Sequence, residues 1–382
     1  MTGNSLATAS LTTTGGTNAN GGAVSINSTN SLSLSSITAN GGPGVTTGGN
    51  VTLTSTGAVT QSGSISASGL SLNGVGGSFV LRDAGNSITT LAANTGDIDY
   101  AQPGALTVGS VGVSGVTTTG AAKVETTGAA SNLTLANAVT SSATGDAIVL
   151  KAGSSNAAGV ASGGQIVNNA GANGIVASSG RFLAYSGDPS TTLETVSGYD
   201  KRYNTAATYN PAGTTSMFLY RVAPTLTISA NSKTRVYGDA NPSLDGSATG
   251  FIDGDTAASV NIAYTTTAVA NTPVSASPVT ITPTATNNQN YTLSIGNGSL
   301  TITPRPLTVT AVGQNRAYDG TTVANVSFTD NRISGDSLTI SNSSASFASK
   351  NVGIGKTVSV SGINISGASA ANYSANTTAS TT

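Results

Sequence analysis

The chain of 382 residues contains no cysteine, no histidine and no tryptophan. Without cysteine there is no disulfide framework and no thiolate zinc site, and a chain free of thiols suits passage across membranes in the unfolded state. Without histidine the commonest metal ligand and general base is missing, so no Ser-His arrangement can be built. Charge is equally scarce: Asp, Glu, Lys and Arg make up 8% of the residues and balance to −1. The 14 basic residues are scattered over the whole length, whereas phosphate backbones need clustered cations, so nucleic acid is not an expected partner. No apolar run reaches the ~18 residues that a membrane-spanning helix needs. The opening residues also lack the basic and apolar regions of a signal peptide, so either the protein is cytosolic or its export signal lies outside this stretch, and the second is the expectation.

What is present is glycine, 48 residues of it, together with Ser, Thr, Asn and Ala. Disorder usually accompanies high net charge and low hydrophobicity, and neither holds, so the composition points to β structure. Over residues 1–180 short apolar segments alternate with Thr or Ser: Ala23 to Ile26, Leu32 to Leu34, Val51 to Thr54, Leu70 to Leu72, Phe79 to Leu81, Leu106 to Val108, Leu133 to Leu135 and Ala147 to Leu150. Gly-Gly, Asn-Gly and Thr-Gly pairs separate them, and β-branched residues and glycines disfavour helix throughout. Strands this short bury a face only when similar strands stack above and below. The expected fold is therefore all-β, a right-handed parallel β-solenoid (β-helix) with rungs of roughly twenty residues. A β-sandwich is the alternative, but it would need more aromatic core than Phe79 and Tyr100 supply.

Residues 181–223 break the pattern, because seven of the 17 aromatics fall there: Phe182, Tyr185, Tyr199, Tyr203, Tyr209, Phe218 and Tyr220. A last rung would expose its core, and a cap or junction with large side chains is the expected remedy, with an exposed sugar-stacking platform as the alternative. Beyond it the chain repeats itself. Leu226 to Ala230 and Arg235-Val236-Tyr237-Gly238-Asp239 recur as Leu307 to Ala311 and Arg316-Ala317-Tyr318-Asp319-Gly320, at an offset of 81 (318 − 237). Residues 224–304 and 305–382 are thus expected to form two small immunoglobulin-like β-sandwich modules joined at Pro304-Arg305-Pro306. Gly238-Asp239 and Asp319-Gly320 are expected to make tight turns, with the rings of Tyr237 and Tyr318 inserted at the edge of each core. The first copy offers a closing strand at Ser299 to Thr303, but the second reaches Thr382 where that strand should begin. Truncation, an unpaired edge near Ser359 to Ile365 and low stability of 305–382 are the corresponding expectations.

Reactive chemistry is hard to assemble from these residues. Asp253-Gly254-Asp255 and Asp97-Ile98-Asp99 could lend carboxylates to calcium, but neither is surrounded by further acids, so turns are expected and no metal or cofactor is assigned. A carbohydrate-active solenoid would need acids or cations converging on one face. The eight charges before Gly180 are not expected to cluster: Arg82-Asp83 and Lys123/Glu125 read as solvated turns. Gly74-Val75-Gly76-Gly77 lacks the following helix that phosphate cradling requires. A flat threonine ladder for binding ice or another lattice is little supported by the spacing of Thr52, Thr107 and Thr134.

Several segments resemble a known family. Gly163 to Gly171 and Ser179 to Pro189, with Gly57 to Gly63 and Ile88 to Ile98 upstream, look like the repeat region of filamentous-haemagglutinin-like exoproteins of Gram-negative bacteria. Tyr237 to Pro242 with Gly250 to Asp255 resembles the MBG domain; Ala317 to Thr322 with Lys350 to Gly353 and Gly362-Ile363 resembles the YDG domain. The resemblance implies a non-enzymatic adhesin segment, secreted or held at the cell surface. It also implies export by a dedicated outer-membrane β-barrel partner in two-partner secretion, although that pathway's secretion domain is not found in this sequence. A host-surface or glycan receptor is implied without being identified, and strings of sandwich modules would act as spacers. Adhesive shaft and spacer is therefore the expected function, with a carbohydrate-active solenoid enzyme or a surface-ordering protein as alternatives.

Overall fold

The computed structural model describes every residue except Met1, Thr46, Ser162 and Gln289. It is all-β, with 47% strand and 2% helix. The chain divides between Pro224 and Thr225 into two compact units, a short segment ending at Thr292 grouping with the first.

In the first unit 21 strands join into one sheet, and their pairing is parallel. Leu32, Val59, Phe79, Ile98, Ala122, Ile148 and Phe182 stand in one register column, each opposite the next. This is the β-solenoid: strands too short to bury a face alone find parallel partners one coil above and below. All seven residues of the column are at most 4% exposed, and burying such a side chain contributes on the order of 1.5–3 kcal/mol. The coils are less regular than expected: the step from Ile148 to Phe182 is twice that from Leu91 to Val108 (182 − 148 against 108 − 91). Only the strands must stay in register, so additional residues leave the coil as loops. At one polar corner the Asn86 side chain is satisfied internally: it accepts from the Ile65 amide at 2.9 Å and donates to the Ala101 carbonyl at 3.1 Å.

Stacking does not stop at Gly180. Arg181–Ser186 pairs parallel with Asp146–Lys151, and Met217–Tyr220 pairs parallel with Arg181–Ser186. The aromatic segment expected as a separate cap is therefore built from solenoid strands. Its rings close the core from within, with Phe182 against Phe218 at 5.8 Å and Tyr203 stacked on Tyr220 at 5.2 Å between centroids. Phe182, Tyr203, Phe218 and Tyr220 are buried, so they form no exposed platform. Arg221, 1% exposed, donates to the carbonyls of Ala152 (2.7 Å), Gly153 (3.2 Å) and Gly164 (3.3 Å), tying the last strand to two glycine loops.

In the second unit the first module is a seven-stranded sandwich. One sheet orders Gly246–Thr249, Thr225–Ala230 and Thr292–Gly296; the other orders Lys233–Val236, Gly298–Thr303, Val279–Ala285 and Ile262–Thr266. The second module is divided into smaller sheets. Its strand Val358–Ser361 lies between Ser344–Phe347 and Thr378–Thr381, antiparallel to both. The unpaired edge expected near Ser359 is therefore covered, and the strand expected to be missing is Thr378–Thr381. It occupies the place of Gly298–Thr303: Ile281 pairs with Gly298 and Ser361 with Thr378, at the same separation along the chain in both modules (298 − 281, 378 − 361). Thr378-Ala379-Ser380-Thr381 has no large apolar residue, so its pattern carries no strand signal. Among the described residues one buried cluster joins Tyr237 and Ile302 of the first module to Leu307, Val309, Val358, Val360 and Tyr373 of the second.

Candidate functional site

A groove of about 440 Å³ lies on the outer side of one solenoid face. Side chains alternate in and out along a strand, so the residues beside the buried column form outward rows. Asp99 stands opposite Lys123, and Lys123 opposite Val149; Glu125 stands opposite Lys151, and Lys151 opposite Tyr185. Arg82 reaches in from the end of its strand, and residues 207–210 form the far wall. Arg82, Asp99, Lys123, Glu125, Asp146 and Lys151 all line the groove. Six of the eight charges before Gly180 thus converge, contrary to the expectation from sequence. Asp83 does sit at a turn, accepting from the Gly85 amide at 2.8 Å, but Lys123 and Glu125 belong to the strand Ala122–Thr126. Lys123 is a full coil beyond Asp99, and Lys151 a full coil beyond Glu125, so only the coil register brings each pair together.

The carboxylates are already engaged. Arg82 holds Asp99 with one end of its guanidinium and Glu125 with the other. Burial alone would raise the Glu125 carboxyl, but the Ser154 hydroxyl and Arg82 outweigh it and hold the group below the usual glutamate value. Asp146 receives Nε of Arg181 at 2.6 Å. Arg181, 5% exposed, also donates to the Pro211 carbonyl at 2.7 Å, and the Tyr185 hydroxyl donates to the Tyr209 carbonyl at 2.6 Å. These two bonds fix the far wall. Burial, then the charge of Asp146, pushes the Tyr185 phenol up to about 12, so it stays a donor at neutral pH. Lys151 lies over the Tyr185 ring at 5.1 Å and Arg202 over the Tyr209 ring at 4.4 Å. Among the described residues neither Lys123 nor Lys151 has a carboxylate at ion-pair distance. What the groove offers a ligand is therefore the ammonium groups of Lys123 and Lys151, the second lying over the Tyr185 ring. The sequence singled out neither Asp146, Lys151, Tyr185 nor Tyr209 for this site.

The turn motifs behave differently in the two modules. Gly238 and Gly320 have φ of +86° and +80°, the left-handed region that favours glycine. Asp239 accepts from Arg305 at 2.9 Å, and Asp319 from the Thr321 amide at 2.9 Å. Tyr237 is buried, its ring edge-on to Tyr373 at 5.7 Å and its hydroxyl 3.1 Å from Asp336 Oδ1. Tyr318 is 66% exposed, not inserted at a core edge as expected; the ring of Tyr373 and the carboxylate of Asp336 that meet Tyr237 belong to the following module. Asp253 and Gly254 form a positive-φ turn, and Asp97 accepts from the Ala121 amide at 2.7 Å. Among the described residues no three acids gather as a metal site. No helix there is long and apolar enough to cross a membrane.

Fold and groove together define a class: a parallel β-solenoid with a charged lateral groove, followed by paired β-sandwich modules. Comparison with protein families is more particular. Residues 226–301 match the MBG domain (YGX type) and residues 303–381 match the YDG domain, domains that occur in adhesin-like exoproteins. No curated protein and no solved structure matches the chain.

Proposed function

We propose that the chain is a non-enzymatic adhesive segment of a secreted or surface-held bacterial exoprotein, in which the solenoid is a shaft, the MBG and YDG modules are spacers, and the groove holds an anionic sugar. Filamentous-haemagglutinin-like identity and export through an outer-membrane β-barrel partner belong to the same reading. The groove carries it. Each groove carboxylate is bonded to an arginine, Asp99 and Glu125 to the same one, while Lys123 and Lys151 have no carboxylate at ion-pair distance among the described residues and can meet a negative group. Tyr185 and Tyr209 form the apolar wall beside the lysines, the Tyr185 ring covered by Lys151 and the Tyr209 ring by Arg202. Binding should weaken as salt rises, since the lysines are partly exposed.

One observation favours the carbohydrate-active alternative: two carboxylates, Asp99 and Glu125, meet on one guanidinium. Glycoside hydrolysis, however, needs one carboxyl with a raised pKa to protonate the leaving group, and Glu125 is displaced the other way. A glycan array probed with the full chain and with Lys123→Ala/Lys151→Ala separates these readings. Retention of uronate- or sialate-bearing glycans that falls at least about tenfold in the variant is expected, the loss of two charge-assisted contacts. Binding unchanged in the variant would sink the groove as receptor site, and cleavage products that vanish in Glu125→Gln would establish the enzyme.

A further inference from the structure

The interface between the two modules has a counterpart with nothing seated on it. On the first module three features meet the second. Tyr237 packs against Tyr373 and bonds Asp336, and Gly238 lies so close to Ile333 that a Cβ there would stand 2.0 Å from Cδ1. The loop between the strands Ile262–Thr266 and Val279–Ala285 is the third: within it the Val274 amide donates to Asn372 Oδ1 at 2.9 Å. The second module repeats the donor side. Tyr318 stands in the place of Tyr237, and the loop between Ser344–Phe347 and Val358–Ser361 joins the same pair of strands as the loop carrying Val274. There Tyr318 is 66% exposed, Val352 83% and Ile354 104%. They line a cavity of about 510 Å³ together with Phe347 and Lys350. Large apolar side chains so exposed at one place mark a contact surface. Lys350, without a carboxylate at ion-pair distance among the described residues, supplies complementary charge for an acid such as Asp336.

We propose that this end of the second module is the seat of a further module of the same kind, one presenting an aspartate, tyrosine and asparagine edge like that of Asp336, Tyr373 and Asn372. The contact is head-to-tail, so it does not close on itself and can be repeated along an array. In the seated state Tyr318 packs edge-on to the incoming tyrosine and its hydroxyl meets the incoming aspartate, as Tyr237 does now. The loop carrying Val352 and Ile354 becomes buried.

The test appends to the full chain, after Thr382, a second copy of residues 305–382 and, separately, a copy of residues 224–304, which carries Asn290, Tyr291 and Asp255 at the matching places. Hydrogen exchange across 348–357 and chemical modification of Tyr318 are compared with the unextended chain. Protection at 348–357 should rise at least about tenfold with one of the appended modules, as expected when a loop joins a packed interface, and Tyr318 modification should fall in step. Asp336→Asn in the appended YDG copy alone, or Asp255→Asn in the appended MBG copy, should reverse both effects. If both extended chains leave the loop and Tyr318 as they are in the unextended chain, the proposal is overturned.

Discussion

The solenoid and the paired modules bury their side chains by different means, and two aromatic residues make the difference plain. Phe79 lies in a column between Val59 and Ile98, so its surroundings are supplied by the coils on either side. Tyr237 is buried to 4% in a cluster to which the next module contributes Tyr373 and Ile333, with Asp336 bonded to its hydroxyl. Tyr318, at the matching place, has no such neighbours and is 66% exposed. A solenoid coil is thus made stable by repetition along the chain, whereas a module end is made stable by whichever module docks on it.

The sharpest way to break this comparison is to remove a column residue. Phe79→Ala should cost about 3–5 kcal/mol, because neighbours fixed in register cannot collapse into the cavity. The loss should appear as faster hydrogen exchange in the strands Ile65–Leu81 and Ser87–Gln102, with the modules unchanged. A single unfolding midpoint would not serve, since a chain of two units need not unfold in one step. Should exchange rise equally in both units, independence of the two cores would be disproved.

Next in size is the tyrosine pair. Tyr237→Ala should destabilise the modules by about 3 kcal/mol, the cost of a buried aromatic plus its bond to Asp336. Tyr318→Ala should change stability by less than about 0.5 kcal/mol, as at other exposed positions. Denaturant unfolding followed by exchange in the strands Thr225–Ala230 and Val309–Gly313 reads both. Equal losses would mean that Tyr318 is held by contacts of its own, and that the two ends are equivalent.

These pairs also show what the sequence could and could not convey. All eight apolar segments marked by alternation before Gly180 fall on solenoid strands, since alternation is a property of each strand alone. The groove was invisible for the opposite reason. Asp99, Lys123, Glu125 and Lys151 are neighbours only through the coil register, and that register advances by unequal steps from one coil to the next, which hides any fixed period. The exposure of Tyr318 is not legible because the repeat equates it with Tyr237, and burial is decided by the neighbour rather than by the repeat. Thr378–Thr381 carries no signal of its own because its partner Val358–Ser361 supplies the apolar surface.

A glycine pair sharpens the same contrast at smaller scale. Gly238→Ala and Gly320→Ala each place a side chain at a left-handed φ, costing about 1 kcal/mol. Only at Gly238 must the new Cβ also displace Ile333, while at Gly320 nothing lies within 4 Å. Gly238→Ala should therefore exceed Gly320→Ala by about 1 kcal/mol, a shifted side chain being the added strain. Comparable losses in thermal unfolding would show that Ile333 moves aside freely.

The smallest expected effect concerns acid. Glu125 is held below its ordinary value in the folded solenoid, so its contribution is fully present above the unfolded glutamate pKa and is lost as pH falls through the lower, folded one. The window therefore opens near pH ~4, where an unfolded glutamate takes up its proton, and extends below. Asp330, held down first by its Arg332 partner, gives the second module the same sign. Acid should thus weaken both units, and Glu125→Gln should flatten the acid limb of the solenoid while leaving that of the modules intact. The gain in flatness should be under about 1 kcal/mol, because Arg82 is 41% exposed and its pairs are partly screened. If Glu125→Gln instead moved the acid limb of the modules, Glu125 would be coupled to a unit whose core it does not share, and the independence of columns from docked ends would fail at its most sensitive point.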